Sequence, residues 1–149
     1  MPEANITAIG FDFGSFWIGS AVGQTRTCTA SPLEAIRANQ FKPDWSHIEK
    51  LIKTWQPSRL VVGLPTTMND QEHEMTRQAR RFSRQLEGRF HIKTELVDER
   101  LTTREAWQII EQQASKKHDK PTIDYIAAVL ITETWLHHYK SQDEPGIRS

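Results

Sequence analysis

A chain of 149 residues, 37% hydrophobic and 26% charged, can bury the core of one domain without a linker or a second domain. Nineteen basic and nineteen acidic residues cancel, so whole-chain charge does not advertise nucleic-acid binding, and any such surface has to come from local segregation. The single cysteine, Cys28, excludes an internal disulfide, and the absence of a signal-like start or a long apolar run predicts a cytoplasmic protein with no membrane contact.

The first strong signal runs from Ile6 to Gly23. Ile9, Phe11 and Phe13 fall on one face of a strand by the period of two, and Ala8, Gly10 and Asp12 fall on the other. A carboxylate inside an apolar strand needs a partner, a proton or a metal, and the small residues beside it predict that something approaches that face closely. Gly14-Ser15 reads as a tight hairpin, after which Ile18, Ser20 and Val22 alternate with Gly19, Ala21 and Gly23 in a returning antiparallel strand. Thr27 to Ala38 reads as a third strand, with a kink or an edge position at Pro32 and a structural Cys28.

Pro43 and Asp44 open a helix in which Trp45, Ile48, Leu51, Ile52 and Trp55 recur at helical spacing until Pro57. Leu60 to Leu64 is a continuous apolar run, the pattern of a strand covered on both faces. Glu72 to Glu87 returns to the helical period, with Met75, Ala79, Phe82 and Leu86 on one face and Gly88 as the expected stop. Diametrically opposite stand Arg77, Arg80, Arg81 and Arg84. A solvated helix face accounts for such a row; a phosphate-backbone contact does so as well, and the position of Glu72, Glu74 and Glu87 at the helix ends favours contact.

His91 to Val97 predicts another strand, with Asp98-Glu99-Arg100 at its end, where open sheets with parallel connections place their chemistry. Thr102 and Glu105 have capping-box spacing ahead of a further helix, Lys116, Lys117 and Lys120 make a basic loop, and Pro121-Thr122 begins the last helix. In that helix Asp124 shares a face with Ala127 and Ala128, small enough to approach the Ala8-Gly10 face. Residues 1–141 are expected to form a single domain and residues 142–149 a loose tail.

Asp12, the Asp98-Glu99 pair and Asp124 thus offer carboxylates in three separate places. Brought together, they would suit a hard divalent ion, Mg2+ or Mn2+, that activates water and stabilises the leaving oxygen of a phosphodiester. Helix-end and loop roles explain Asp124 and Asp98-Glu99 equally well when each is taken alone. Consecutive strand residues face opposite ways, so only one of Asp98 and Glu99 can join Asp12; with Leu96 and Val97 both apolar, parity leaves either open.

With these residues in view, the chain resembles the YqgF family of RuvC-like, ribonuclease H-fold proteins, known as pre-16S ribosomal RNA nucleases or Holliday junction resolvases. The resemblance covers nearly the whole chain and rests on four ordered blocks: Phe11-Asp12-Phe13-Gly14 with Ile18 to Gly23, Val61 to Pro65, Asp98 to Thr103, and Asp124 before Ala127-Ala128. It implies an α/β fold with a five-stranded mixed sheet, three antiparallel strands followed by two parallel ones, flanked by helices. It also implies Asp12, Glu99 and Asp124 as catalytic, metal-binding acids, and selects Glu99 over Asp98. The implied activity is metal-dependent phosphodiester hydrolysis in structured nucleic acid: pre-16S rRNA in ribosome biogenesis, or branched DNA as a junction resolvase. Partners are then nucleic acid, held by Arg77, Arg81, Arg84, Lys116, Lys117 and Lys120, and the ribosomal subunit. A symmetric junction would favour a dimer, whereas RNA trimming suits a monomer as well.

Departures from the family pattern fall outside the acids. Phe16-Trp17 stands where a Lys or Arg is usual before the Ile-Gly, Thr67 to Asp70 replaces an Asn-x-Asp-Gly, and the loop before the last helix lacks its glycines. Two other classes compete. Asp-Phe-Gly at a hairpin also resembles the first phosphate loop of actin-like ATPases, but those clamp nucleotide between two domains and this chain has length for one. A non-catalytic RNA-binding ribosome-maturation factor would use the same fold without needing its acids. His137 and His138 point about 100° apart on a helix and do not suit joint zinc ligation. Of the five tryptophans, Trp17 in the hairpin is the one suited to base stacking.

Overall fold

The computed structural model describes residues 5–64, 71–98 and 120–142, with the side chains of 71–73, 120–125 and 140–142 left out. β1 (Thr7–Asp12) and β2 (Trp17–Gln24) pair antiparallel, with Ala8 opposite Gly23 and Asp12 opposite Gly19. Their connection is longer than a two-residue hairpin and turns tightly at Gly14, where a Cβ would come 2.5 Å from the Trp17 carbonyl oxygen.

The expected third strand is two. β3 (Thr29–Pro32) pairs with the far half of β2 and β4 (Ile36–Asn39) with its near end. Pro32 cannot donate to a ladder, so the edge breaks there, and the Leu33 N–H bonds the Ser20 carbonyl at 2.8 Å. Cys28 sits in the turn before β3, not in a strand; its φ is 55° and its buried thiol donates to the Thr25 carbonyl. β4 turns into the short β5 (Lys42–Pro43) through Gln40 and Phe41, both at positive φ, as a two-residue hairpin of the right twist requires. Two neighbours hold Phe41 in this costly conformation: its N–H donates to the Ser15 carbonyl at 3.0 Å, and its ring stacks on Phe13.

α1 (Trp45–Trp55) starts at its N-cap Asp44, whose carboxylate accepts from the His47 N–H, and ends at Gln56 in the left-handed region before Pro57. β6 (Arg59–Leu64) adds parallel to β1, and β7 (Thr94–Asp98) adds parallel to β6. α2 (Gln71–Phe90) does not stop at Gly88: it runs on to Phe90, and His91 takes the left-handed position at φ 57°. Packing of Leu86 and Phe90 into the core outweighs the cost of roughly 1 kcal/mol for a helical glycine. The last helix, α3 (Lys120–Gln142), begins one residue before the expected Pro121. The capping box at Thr102 and Glu105 and the tail beyond Gln142 lie outside the described residues.

The sheet order is β5-β4-β2-β1-β6-β7, with β3 beside β2. Seven strands replace the expected five because the third is split and β5 is added; the sequence of antiparallel then parallel pairings is as expected. α1 and α2 cover one face through Ile9, Phe11, Ile18, Ile48, Phe82 and Leu86. On the other face α3 buries Ile131, Trp135 and Leu136 against Ala8, Val61 and Val97. No helix among the described residues is long and apolar enough to cross a membrane.

Candidate active site

Asp12 is the last residue of β1 and is partly buried. Its neighbour Phe13 turns to the opposite face, stacking on Phe82 at 4.7 Å and on Phe41 at 6.0 Å. Aromatic pairs of this kind contribute about 0.5–1.5 kcal/mol each beyond their burial, so the strand end is held from behind while the carboxylate faces the α3 side.

The group that approaches the small-residue face is α3. A Cβ on Gly10 would overlap Thr132 Oγ1, and one on Gly23 would stand 2.7 Å from Leu136 Cδ1. Thr132 is buried and satisfied, its hydroxyl donating to the Ala128 carbonyl at 2.7 Å. Glu133 accepts from the Ala30 N–H at 3.0 Å and ties the helix to the sheet edge. Leu136 thus lies at the level of Gly23 and Ala8, and Thr132 at the level of Gly10, so α3 runs antiparallel to β1. Four helical residues rise about 6 Å and two strand residues about 6.7 Å. Ala128 therefore falls at the level of Asp12, and position 124 one turn beyond the strand end.

Strand parity now separates the neighbouring acids. Val97 packs in the α3-side cluster with Ala8 and Val61, whereas Leu96 packs in the cluster on the α1 and α2 side. Asp98 shares the parity of Leu96 and so turns away from the face of Asp12. Glu99, Lys116 and Lys117 lie outside the described residues, and of Asp124 and Lys120 only the backbone is described. Among the described residues no three metal-ligating side chains come together.

Arg77, Arg80, Arg81 and Arg84 are exposed, but α2 covers the face opposite Asp12. Its C-terminal end lies at the start of β7, where Glu87 accepts from the Thr94 N–H at 2.9 Å, so α2 runs antiparallel to β6 and β7. Arg77 is thereby nearest the sheet edge that carries Asp12. It pairs with Glu74 at 2.8 Å, so the arginine row is not free of carboxylates.

Three residues gain importance only from the fold. Thr132 fills the space that Gly10 leaves. Phe16 at the β1–β2 turn is 52% exposed, and the Arg37 guanidinium lies over the Trp17 ring at 5.5 Å. Trp17 pairs with Arg37 across β2 and β4, and both have the parity of Gly19, the partner of Asp12. The alternation Ile36-Arg37-Ala38 was the available sequence signal for Arg37.

Comparison with known proteins agrees with this geometry. A family model described as "RuvX: Holliday junction resolvase" matches residues 6–138. A protein of Proteus mirabilis named "Putative pre-16S rRNA nuclease" is 47% identical over 134 residues, 89% of this chain and 96% of its own length. One of the same name from Legionella pneumophila is 50% identical over 129 residues, 86% and 93% of the two chains. Among solved structures, Thermus thermophilus RuvC in complex with a Holliday junction substrate superposes with TM-score 0.61 at 13% identity, covering 93% of this chain and 96% of that one. The fowlpox virus Holliday junction resolvase does so with TM-score 0.50 at 9% identity, over 90% and 99%. The fold is ribonuclease H-like.

Proposed function

The chain belongs to the RuvX family, and on that premise we propose that it is a metal-dependent nuclease that hydrolyses phosphodiester bonds of precursor 16S ribosomal RNA. The observation that carries the reading is the seat of Asp12: a partly buried carboxylate at the end of β1, opposite a glycine, on the face that α3 crosses so as to bring position 124 one turn away. Asp12, Glu99 and Asp124 form a donor set of hard oxygens, which fits Mg2+ or Mn2+ and not a soft-ligand metal. A bound ion of this kind lowers the pKa of water and neutralises charge on the leaving oxygen. The chain's own part is to hold the acids on rigid elements and to direct the phosphate toward the strand ends.

A partner role for the ribosomal subunit and a cytoplasmic location follow from that substrate. The single-domain reading of residues 1–141 is supported by a sheet whose two faces are each covered by its own helices. A second reading, resolution of branched DNA, is favoured by the description of the matching family model.

The test is cleavage of precursor 16S RNA and of a four-way DNA junction in parallel, over a metal titration, with Asp12→Asn beside the parent. RNA cleavage that needs divalent ion and is lost in Asp12→Asn, with RNA affinity kept, supports the proposal. Cleavage of junction DNA alone supports the second reading, and RNA binding without cleavage of either substrate supports a maturation factor.

A further inference from the structure

The fold brings a cation from another strand to the first hairpin. Trp17 and Arg37 are cross-strand partners on β2 and β4, with the guanidinium over the indole at 5.5 Å. Ile18 and Ile36 turn into the core beneath them, so Trp17 and Arg37 face outward on the side of the sheet that carries Asp12. Arg37 is exposed and Trp17 half-buried, whereas Phe16, level with Ala38, has the parity of Ile18 and turns to the other face. By strand spacing Trp17 lies about 8 Å from Asp12 and Arg37 about 12 Å, with only Gly19 between Asp12 and Trp17 on that face. The turn beneath is stiff, since the Ala38 N–H bonds the Phe16 carbonyl at 2.9 Å, the Phe41 N–H bonds Ser15, and Phe13 stacks on Phe41. A rigid tip with a half-buried indole and an exposed guanidinium, on the side of the sheet that holds the carboxylate, has the composition of a single-strand platform: the aromatic ring accepts a base and the cation its phosphate.

Resting on the nuclease reading above, we infer that Trp17 and Arg37 form a base-stacking subsite beside Asp12 that takes an unpaired nucleotide, so that the substrate is single-stranded next to the scissile phosphate. Trp17 holds the base by stacking, and Arg37 fixes Trp17 and meets the backbone. A continuous duplex has no free base face to offer the tip and binds without this contribution.

The experiment measures binding by the whole chain in chelator, which prevents cleavage. The probes are a fluorescein-labelled RNA hairpin with a single-stranded 3′ extension, the same RNA with abasic extension nucleotides, and the blunt hairpin. The parent should prefer the extended probe. Trp17→Ser should weaken binding to it by about five- to a hundredfold, leave the abasic probe unchanged, and recover with Trp17→Phe. Arg37→Gln should weaken binding to both extended probes and lower the salt slope by about 0.7. Should Trp17→Ser unfold by circular dichroism, Trp17→Leu, which keeps apolar bulk without a ring, carries the comparison.

Equal losses on the extended and abasic probes, or a parent that binds the blunt hairpin as tightly, would overturn the subsite. A concentration-dependent dimer lost in Trp17→Ser would do the same, assigning the tip to a second copy of the chain. Metal-dependent cleavage of precursor RNA is followed separately. Cleavage without the stacking signature removes this inference alone, whereas stacking without cleavage leaves the subsite and removes the nuclease reading.

Discussion

Gly10→Ala is the sharpest test of how the site is assembled. Gly10 has ordinary strand geometry and no positive φ, so alanine would by itself stabilise the chain by about 0.4–1 kcal/mol through the unfolded state. The new methyl, however, would overlap Thr132 Oγ1 and stand 3.0 Å from Thr132 Cβ and 3.3 Å from its Cα. The last contact is with helix backbone, so rotating the side chain does not relieve it and α3 has to lift from the sheet. Overpacking of this kind costs about 1–3 kcal/mol, leaving a net loss near 1–2 kcal/mol. For a chain of this size that lowers the Tm by about 2–8 °C. The larger effect is on cleavage, because α3 carries Asp124 and a shift of about 1 Å in a catalytic group costs roughly a hundredfold. Thr132→Ala removes the hydroxyl that collides, at about 1 kcal/mol for its hydrogen bond and packing. Combined with Gly10→Ala it should recover part of both losses, a coupling of about 1–2 kcal/mol. Thermal melts and single-turnover cleavage of all four proteins make the cycle. A Gly10→Ala protein as stable and active as its parent, or strictly additive variants, would show that the Gly10–Thr132 approach does not set the position of α3.

Parity predicts that Asp98→Asn keeps substantial activity while Glu99→Gln loses cleavage nearly as fully as Asp12→Asn; single-turnover rates over a metal titration decide, and a dead Asp98→Asn with an active Glu99→Gln reverses the assignment. Changing Arg77, Arg81 and Arg84 together to Gln should weaken RNA binding and flatten its salt dependence. Because Arg77 is already paired with Glu74, the slope should fall by the equivalent of about two phosphates and not three. Unchanged affinity and slope would return that helix face to simple solvation.

The periodicity of the chain determined a good deal without any tertiary information. Alternation placed Ile9, Phe11 and Phe13 opposite Ala8, Gly10 and Asp12, and the core divides along that line. Helical spacing found α1, α2 and the start of α3, because amphipathic patterns are written in local sequence and survive folding unchanged. Local rules failed where packing outweighed them: Gly88 did not end α2, and Gln40 and Phe41 took positive φ without glycine. Contacts across the sheet were beyond the reach of sequence. A strand with apolar residues on both faces, such as Leu96-Val97, carries no sign of which face is which, so the choice against Asp98 waited for the partners of each. The arginine row was visible as a pattern, yet only the order of layers put it on the face opposite Asp12. The small-residue face of β1 announced a close neighbour, and the fold alone identified it as Thr132, since the two residues meet through a helix more than a hundred positions further along the chain.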